Sequence, residues 1–206
     1  MATDKLPSED VLIPKLLEGD EQAFSQVVLA YHGIMVHLAR SIVGEAIADE
    51  VAQEAWMAVI KSLPKFERRS SLKTWILRIV SNSAKSRLRH ESRSISTDFS
   101  DEKFSSMIDP SNFRSDGHWL IPPNTWHADT PEDILASTQL RKHIDHVFKM
   151  LPPLQQAAIA LRDMQGMDME SICKILDVSE SNGRVLLHRA RSVLREAIDQ
   201  FQGKTK

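Results

Sequence analysis

The sequence predicts an all-α fold of two small helical domains joined by a long flexible linker, and three observations carry that reading. Apolar side chains recur at helical spacing through most of the chain. No segment shows the sustained period-2 alternation of half-buried strands. The helical pattern stops between Ser92 and about Pro131, where Ser and Asp accumulate and Pro110, Pro122, Pro123 and Pro131 disfavour helix. A stretch of that length is too long for an ordinary loop inside one compact domain. The boundaries read as 10–93 for the first domain, 94–131 for the linker and 132–200 for the second.

Each element has its own signature. The segment 21–43 is long, apolar-rich and free of Pro. Over 45–63, Ile47, Val51, Ala55, Val59 and Leu63 recur every four residues, with Trp56 and Ile60 widening the stripe. The other side of that helix carries Asp49, Glu50, Gln53 and Glu54. Over 72–89, Leu72, Trp75, Ile76 and Ile79 line one face, and Lys73, Arg78, Lys85, Arg87 and Arg89 lie largely elsewhere. After the linker, Thr130-Pro131-Glu132-Asp133 reads as a helix start, with a cap, Pro at the first position and acids near the positive end. That helix carries Leu135, Leu140, Ile144, Val147, Phe148 and Leu151 and ends at Pro152-Pro153. A further helix runs from Leu154 to about Met164, closed by Gln165-Gly166. Within the linker, the run from His118 to Pro123 and Trp126 are too apolar for a bare spacer, so that patch is expected to dock on a domain or a partner.

Composition bounds the function. The 206 residues carry a formal charge of −2, but the charge lies in blocks. Residues 1–60 balance at −7, 61–93 at +8, 94–116 at −3 and 117–206 at zero. A strongly basic stretch in a slightly acidic protein is either a polyanion-binding surface or a solvated basic helix. The single cysteine, Cys173, excludes an internal disulfide and fits a reducing compartment. No run is read as approaching the roughly 18 apolar residues of a membrane span, and MATDKLPSED has no apolar signal segment. The expected location is the cytoplasm. No phosphate-cradling Gly-rich loop or nucleophile motif is present, so the chain reads as no enzyme and as needing no cofactor. His143 and His146 share a helix face, yet without an evident fourth ligand they read as surface residues rather than a metal site, as do His118 and His127.

The most specific local signal lies at 168–195. A short helix, Met169 to Leu176, is followed by the turn Asp177-Val178-Ser179, with Val178 as a buried plug and Ser179 as N-cap of a longer basic helix. The pattern reads as a helix-turn-helix, the alternative being a plain helical hairpin with a basic solvated face. Ile172, Cys173 and Leu176 of the first helix and Val185, Leu186, Val193 and Leu194 of the second supply its core. Its second helix would present Ser179, Glu180, Ser181, Asn182 and Arg184 to a major groove. His188, Arg189 and Arg191 follow, placed to reach phosphates or to remain solvated.

Taken together the two halves resemble an RNA polymerase sigma factor of the sigma-70 family, of the small extracytoplasmic-function (ECF) type. Gly19-Asp20-Glu21-Gln22-Ala23-Phe24 resembles the opening of region 2.1, and the run from Ala48 to Trp56 resembles region 2.2. The run from Leu72 to Asn82 is similar to the region 2.3–2.4 helix, and Leu151-Pro152, Arg162-Asp163 and 179–191 to region 4. Two positions depart from the pattern. Ser86 stands where the family usually has Asp, and Gly183 where it usually has a β-branched residue. The linker is also longer than in many small sigma factors.

By this resemblance Asp49, Glu50, Gln53 and Glu54 would face helices of the largest subunit of core polymerase, an acidic face pairing with Arg and Lys. The segment 67–71, with Arg68, Arg69, Ser70 and Ser71, is where the family captures a flipped base of the −10 element. Lys73, Arg78, Lys85, Arg87 and Arg89 would add phosphate contacts. Asn82 is either a DNA contact or a helix-surface hydrogen bond, and Trp75 fits the apolar stripe better than a base-stacking role. The helix-turn-helix would read the −35 element, and the acidic run 98–116 would suit a basic polymerase channel. The resemblance also implies promoter DNA and an anti-sigma factor as partners. The rival reading is a free-standing helix-turn-helix regulator, which leaves the acidic helix and the 67–71 segment unexplained.

Overall fold

Eight helices, α1 to α8, supply the α-helical structure among the described residues, 6–94 and 131–204 of this computed structural model. The apolar patch around Trp119 and Trp126, His118, His127, the run 98–116 and the Thr130 cap lie outside the described residues, as does the side chain of Leu135. Helix α1 (Glu9–Leu17) turns Leu12, Ile13 and Leu16 into the core. Helix α2 (Glu21–Val43) is started by Asp20, whose carboxylate accepts from the amides of Gln22 at 2.8 Å and Ala23 at 3.0 Å. It stops at Gly44, where φ of +83° suits glycine. Helix α3 (Ala48–Ser62) buries Ala48, Val51, Ala52, Ala55 and Val59, small side chains that let α2 and α4 approach closely. A 3-10 turn, Leu63–Lys65, leads through an extended loop to α4 (Leu72–Ser94).

The second half begins with α5 (Pro131–Met150), whose first residue is the proline that the sequence places at a helix start. Helix α6 (Pro153–Ile159) likewise starts on a proline and continues as a π-helical turn, Ala160–Met164. Then follow α7 (Met169–Leu176) and α8 (Glu180–Lys204). Asp168 caps α7, accepting from the amide and hydroxyl of Ser171 at 2.8 Å each. Those hydrogen bonds hold its carboxyl below the usual range.

The two halves lie against each other. Helix α4 packs on α7 and α2 on α6, and the buried side chains of both halves form one cluster. His37 of α2 meets the Met164 sulfur at 3.1 Å, and burial followed by the Arg40 charge lowers the His37 pKa. By length and composition α2 is long and apolar enough to cross a membrane, against the expectation that no run approaches a span. Here it is the central packing helix, contacting α1, α3, α4 and α6.

Candidate nucleic-acid and partner interfaces

Helical geometry places residues about 100° apart, so spacings of three, four and seven share a face. On α3 this gathers Asp49, Gln53, Met57 and Ile60 into one stripe with Glu50 and Glu54 on its flank, all exposed. Ile60 is therefore not part of the core, as its four-residue spacing from Trp56 implied; it is 50% exposed, and Met57 is 69% exposed. Leu29 of α2, 84% exposed, lies one turn from His32, which accepts a hydrogen bond from the Trp56 indole at 3.2 Å. The α3 face thus joins acids and an amide to solvent-facing apolar side chains. Its apolar members were legible in the i, i+4, i+8, i+11 spacing of 49, 53, 57 and 60.

The same geometry divides the cations of α4. Arg78, Asn82, Lys85 and Arg89 follow one another at four, three and four residues and form one stripe. Arg87, two residues beyond Lys85, points the other way. Its guanidinium meets Glu50 at 3.3 Å and Glu54 at 3.8 Å, so it braces the acidic face of α3 instead of joining the cationic stripe. Lys73 also lies off the stripe and is half-buried.

The cationic stripe faces α7. Lys85 donates to the Leu176 carbonyl at 2.9 Å, at the negative end of that helix, and Arg78 stands 3.7 Å from Asp177. Burial lowers the Lys85 pKa; Arg89 and Arg78 push the same way, and Asp177 opposes them. Arg89 donates to the Lys85 carbonyl of its own helix. Asn82 is exposed and lines a groove with Leu154 and Asp177.

The loop before α4 is held from several sides. Arg68 has a left-handed backbone, φ +54°, and its guanidinium lies 3.3 Å from Asp10 of α1. Arg69 pairs with Glu67 at 2.6 Å and remains 84% exposed. Ser71 caps α4, accepting from the Thr74 amide at 3.2 Å, so its hydroxyl is occupied in the protein. Glu9 of α1 accepts from the Leu72 amide at 2.8 Å. Trp75 is neither wholly core nor free: it is half-buried, with its ring 4.8 Å from that of Phe66. Phe66, Trp75, Lys65, Glu67, Arg69 and Ser70 border a cavity of about 360 Å³, to which Arg78 and Lys174 also contribute.

In the helix-turn-helix, Asp177 makes the turn at φ +54°, and Val178 packs half-buried against the core. Ser179 caps α8, accepting from the Asn182 amide at 3.2 Å. Gly183 has a physical reason: a β-carbon there would stand 2.9 Å from the Cys173 sulfur and 3.3 Å from that of Met169. Its lack of a side chain lets α8 cross α7 at close range. Burial, then the Glu180 carboxylate, pushes the Cys173 thiol up against the opposing effect of Arg184.

Ser179, Glu180, Ser181, Asn182 and Arg184 are all exposed, with Arg184 paired to Glu180. Val185 is exposed too, contrary to its expected place in the core. His188 and Arg189 are half-buried, and burial lowers the His188 pKa. Arg191 is corrected outright. Its side chain is 5% exposed and grips Asp163 of the π-helical turn through two nitrogens, so it is not available to phosphate. His143 stands 5.8 Å from the Phe201 ring of α8.

Comparison with known proteins identifies the family. The family model of Sigma-70 region 2 matches residues 27–94, and that of Sigma-70, region 4 matches 141–194. The ECF RNA polymerase sigma-E factor of Escherichia coli (strain K12) is 30% identical over 192 residues, 93% of each chain. That of Salmonella typhimurium (strain LT2) is 29% identical over 93% of each chain, and that of Haemophilus influenzae 27% over 93% of this chain and 95% of its own. Among solved structures, the sigma factor RpoE bound to the anti-sigma factor NepR from Bartonella quintana aligns with a TM-score of 0.58 at 20% identity, over 85% of this chain and 96% of that one. CnrH bound to the cytosolic domain of CnrY aligns at 0.56 and 19%, over 94% and 99%.

Proposed function

Because the chain belongs to the sigma-70 family, with the two-region organisation of ECF RNA polymerase sigma factors, we propose a division of labour among the surfaces just described. The protein binds core RNA polymerase and directs it to promoters, acting in the cytoplasm as an initiation factor with no catalytic step of its own. Residues 10–93 form the region 2 domain, 132–200 the region 4 domain, and 94–131 the connection. The free-standing regulator is set aside because a region 2 match at 27–94 has no place in it.

The exposed face of α3 docks on polymerase through Asp49, Glu50, Gln53 and Glu54, with Met57 and Ile60 adding apolar contact. The loop 67–71 with the cavity beside Phe66 and Trp75 takes an unpaired −10 base, which favours melted DNA without fuel. Arg78, Lys85 and Arg89 bind the phosphates around it, while the first turns of α8 read the −35 element through Ser179, Glu180, Ser181, Asn182 and Arg184. Arg78 and Lys85 are committed to α7 in this arrangement, so the −10 surface is complete only once the two halves separate. An anti-sigma factor that favours the packed arrangement is the matching partner; one structural neighbour, the sigma factor RpoE, was solved with the anti-sigma factor NepR bound.

The observation that carries the reading is the order of the two family matches, the first spanning α3 and α4 and the second running from α5 into α8. Its test is run-off transcription from fragmented genomic DNA by bacterial core polymerase with and without the protein. New start sites sharing −35 and −10 sequences are expected. No new start sites and no core binding, together with tight specific binding to duplex DNA alone, would overturn it.

A further inference from the structure

We propose that Glu9 and Asp10, at the start of α1, are positioning residues for the −10 loop: from outside that loop they fix the backbone that receives the unpaired base. The inference rests on the reading of 67–71 as the base-capturing segment.

A helix begins with amides that have no partner inside it, and a negative charge at that end stabilises it. Helix α4 has no acidic residue in its first turn. Ser71 satisfies the Thr74 amide locally, and the Leu72 amide is satisfied by Glu9, 63 residues earlier in the chain, at 2.8 Å. The acid that α4 lacks is thus supplied by α1. Glu9 is only half-exposed, and its carboxylate is close enough to Tyr31 of α2 to raise the phenol pKa after the larger effect of burial. A carboxylate in that setting strengthens the hydrogen bond it accepts.

Asp10 acts on the other end of the loop. Arg68 occupies the left-handed region at φ +54°, a conformation that side chains bearing a β-carbon disfavour. Its guanidinium reaches Asp10 at 3.3 Å, although that carboxylate is 91% exposed, so this ion pair is the weaker anchor. Between the two anchors lie Arg69, Ser70 and Ser71, and beside them the Phe66–Trp75 pair and the cavity. Helix α1 is in turn fixed by Leu12, Ile13 and Leu16 in the core. The loop is therefore referenced to a rigid element, which is what selective capture of a base requires.

The test uses the full chain bound to bacterial core polymerase. Its probe is a fork of duplex −35 and single-stranded −10 DNA taken from start sites mapped by run-off transcription. Loss of a capping acceptor lies in the range of about tenfold, so Glu9→Ala is expected to weaken fork retention by about that factor. Glu9→Gln keeps an acceptor oxygen and should stay within about threefold, and Asp10→Asn within about twofold. Core binding and duplex −35 binding should not change. Hydrogen exchange at the Leu72 amide of the free chain should rise in Glu9→Ala with the Leu77 amide still protected, which separates a local release from unfolding.

Unchanged fork retention in Glu9→Ala, with Arg69→Ala and Ser70→Ala weakening it, would overturn the positioning role alone. Unchanged retention in all three variants would overturn it together with the reading of the loop. Loss of Leu77 protection or of core binding in Glu9→Ala would also overturn it, by making Glu9 a general stability residue.

Discussion

Among the described residues, helices α4 and α8 are the two long cationic helices, 23 and 25 residues, and both carry arginines at spacings that share a face. They dispose of those charges differently. In α4 the division runs around the helix: Arg78 and Lys85 face α7, and Arg87 faces the acids of α3. In α8 it runs along the helix: Arg184 is exposed near the start, and Arg191, two turns on, is buried against Asp163. A charge count cannot distinguish these cases. A cation's role is set by what stands opposite it.

The largest expected effect tests the partner face that Arg87 braces. Asp49→Lys with Glu54→Lys should abolish binding to core polymerase on a sizing column while the circular dichroism spectrum stays helical, since each reversal sets like charges against each other across the proposed interface. Retained binding would return the α3 face to plain solvent exposure. Next is Asp163→Ala, which strands a buried guanidinium and should cost about 3 kcal/mol in urea denaturation. Arg191→Met in that background should recover part of the loss, and a change in the salt dependence of DNA binding in its place would restore Arg191 as a phosphate contact.

Arg184→Ala should weaken discrimination among −35 sequences by about 1–3 kcal/mol in holoenzyme competition assays. An equal loss on every sequence would make it a phosphate contact, the role proposed for the stripe on α4. Gly183→Ala should destabilise by about 1 kcal/mol, because the added methyl overpacks against Cys173. In a Cys173→Ala background the loss should largely disappear, since only the Met169 sulfur at 3.3 Å then opposes alanine's better helix propensity. The smallest effect is Asp177→Asn, which removes the attraction to Arg78 and Lys85 and keeps a residue that tolerates the left-handed backbone. Single-stranded DNA binding by the free chain should tighten by about fivefold, because a masked surface binds in proportion to the fraction unmasked.

Much of this was readable from residue order alone. Asp49, Glu50, Gln53 and Glu54 are where a helix of that period must expose them, and Pro131 and Ser179 start the helices their chemistry favours. Helix α1 escaped notice because nine residues give too short a period, and Glu9 because its partner is 63 residues away. Ile60 and Val185 misled because four-residue spacing marks a stripe without saying which stripe is covered.

The sequence by itself determined the longer helices, the Ser179 cap, the helix-turn-helix and the family, since each depends on neighbours within a few residues or on motifs that stand in order. Only the tertiary structure decided that Arg87 serves α3, that Arg191 serves the fold, that Gly183 makes room for two sulfur atoms, and that Glu9 caps α4. Hydrogen bonds and ion pairs act over about 3–4 Å. Which side chains come within that range is settled by the packing of helices, not by their distance along the chain.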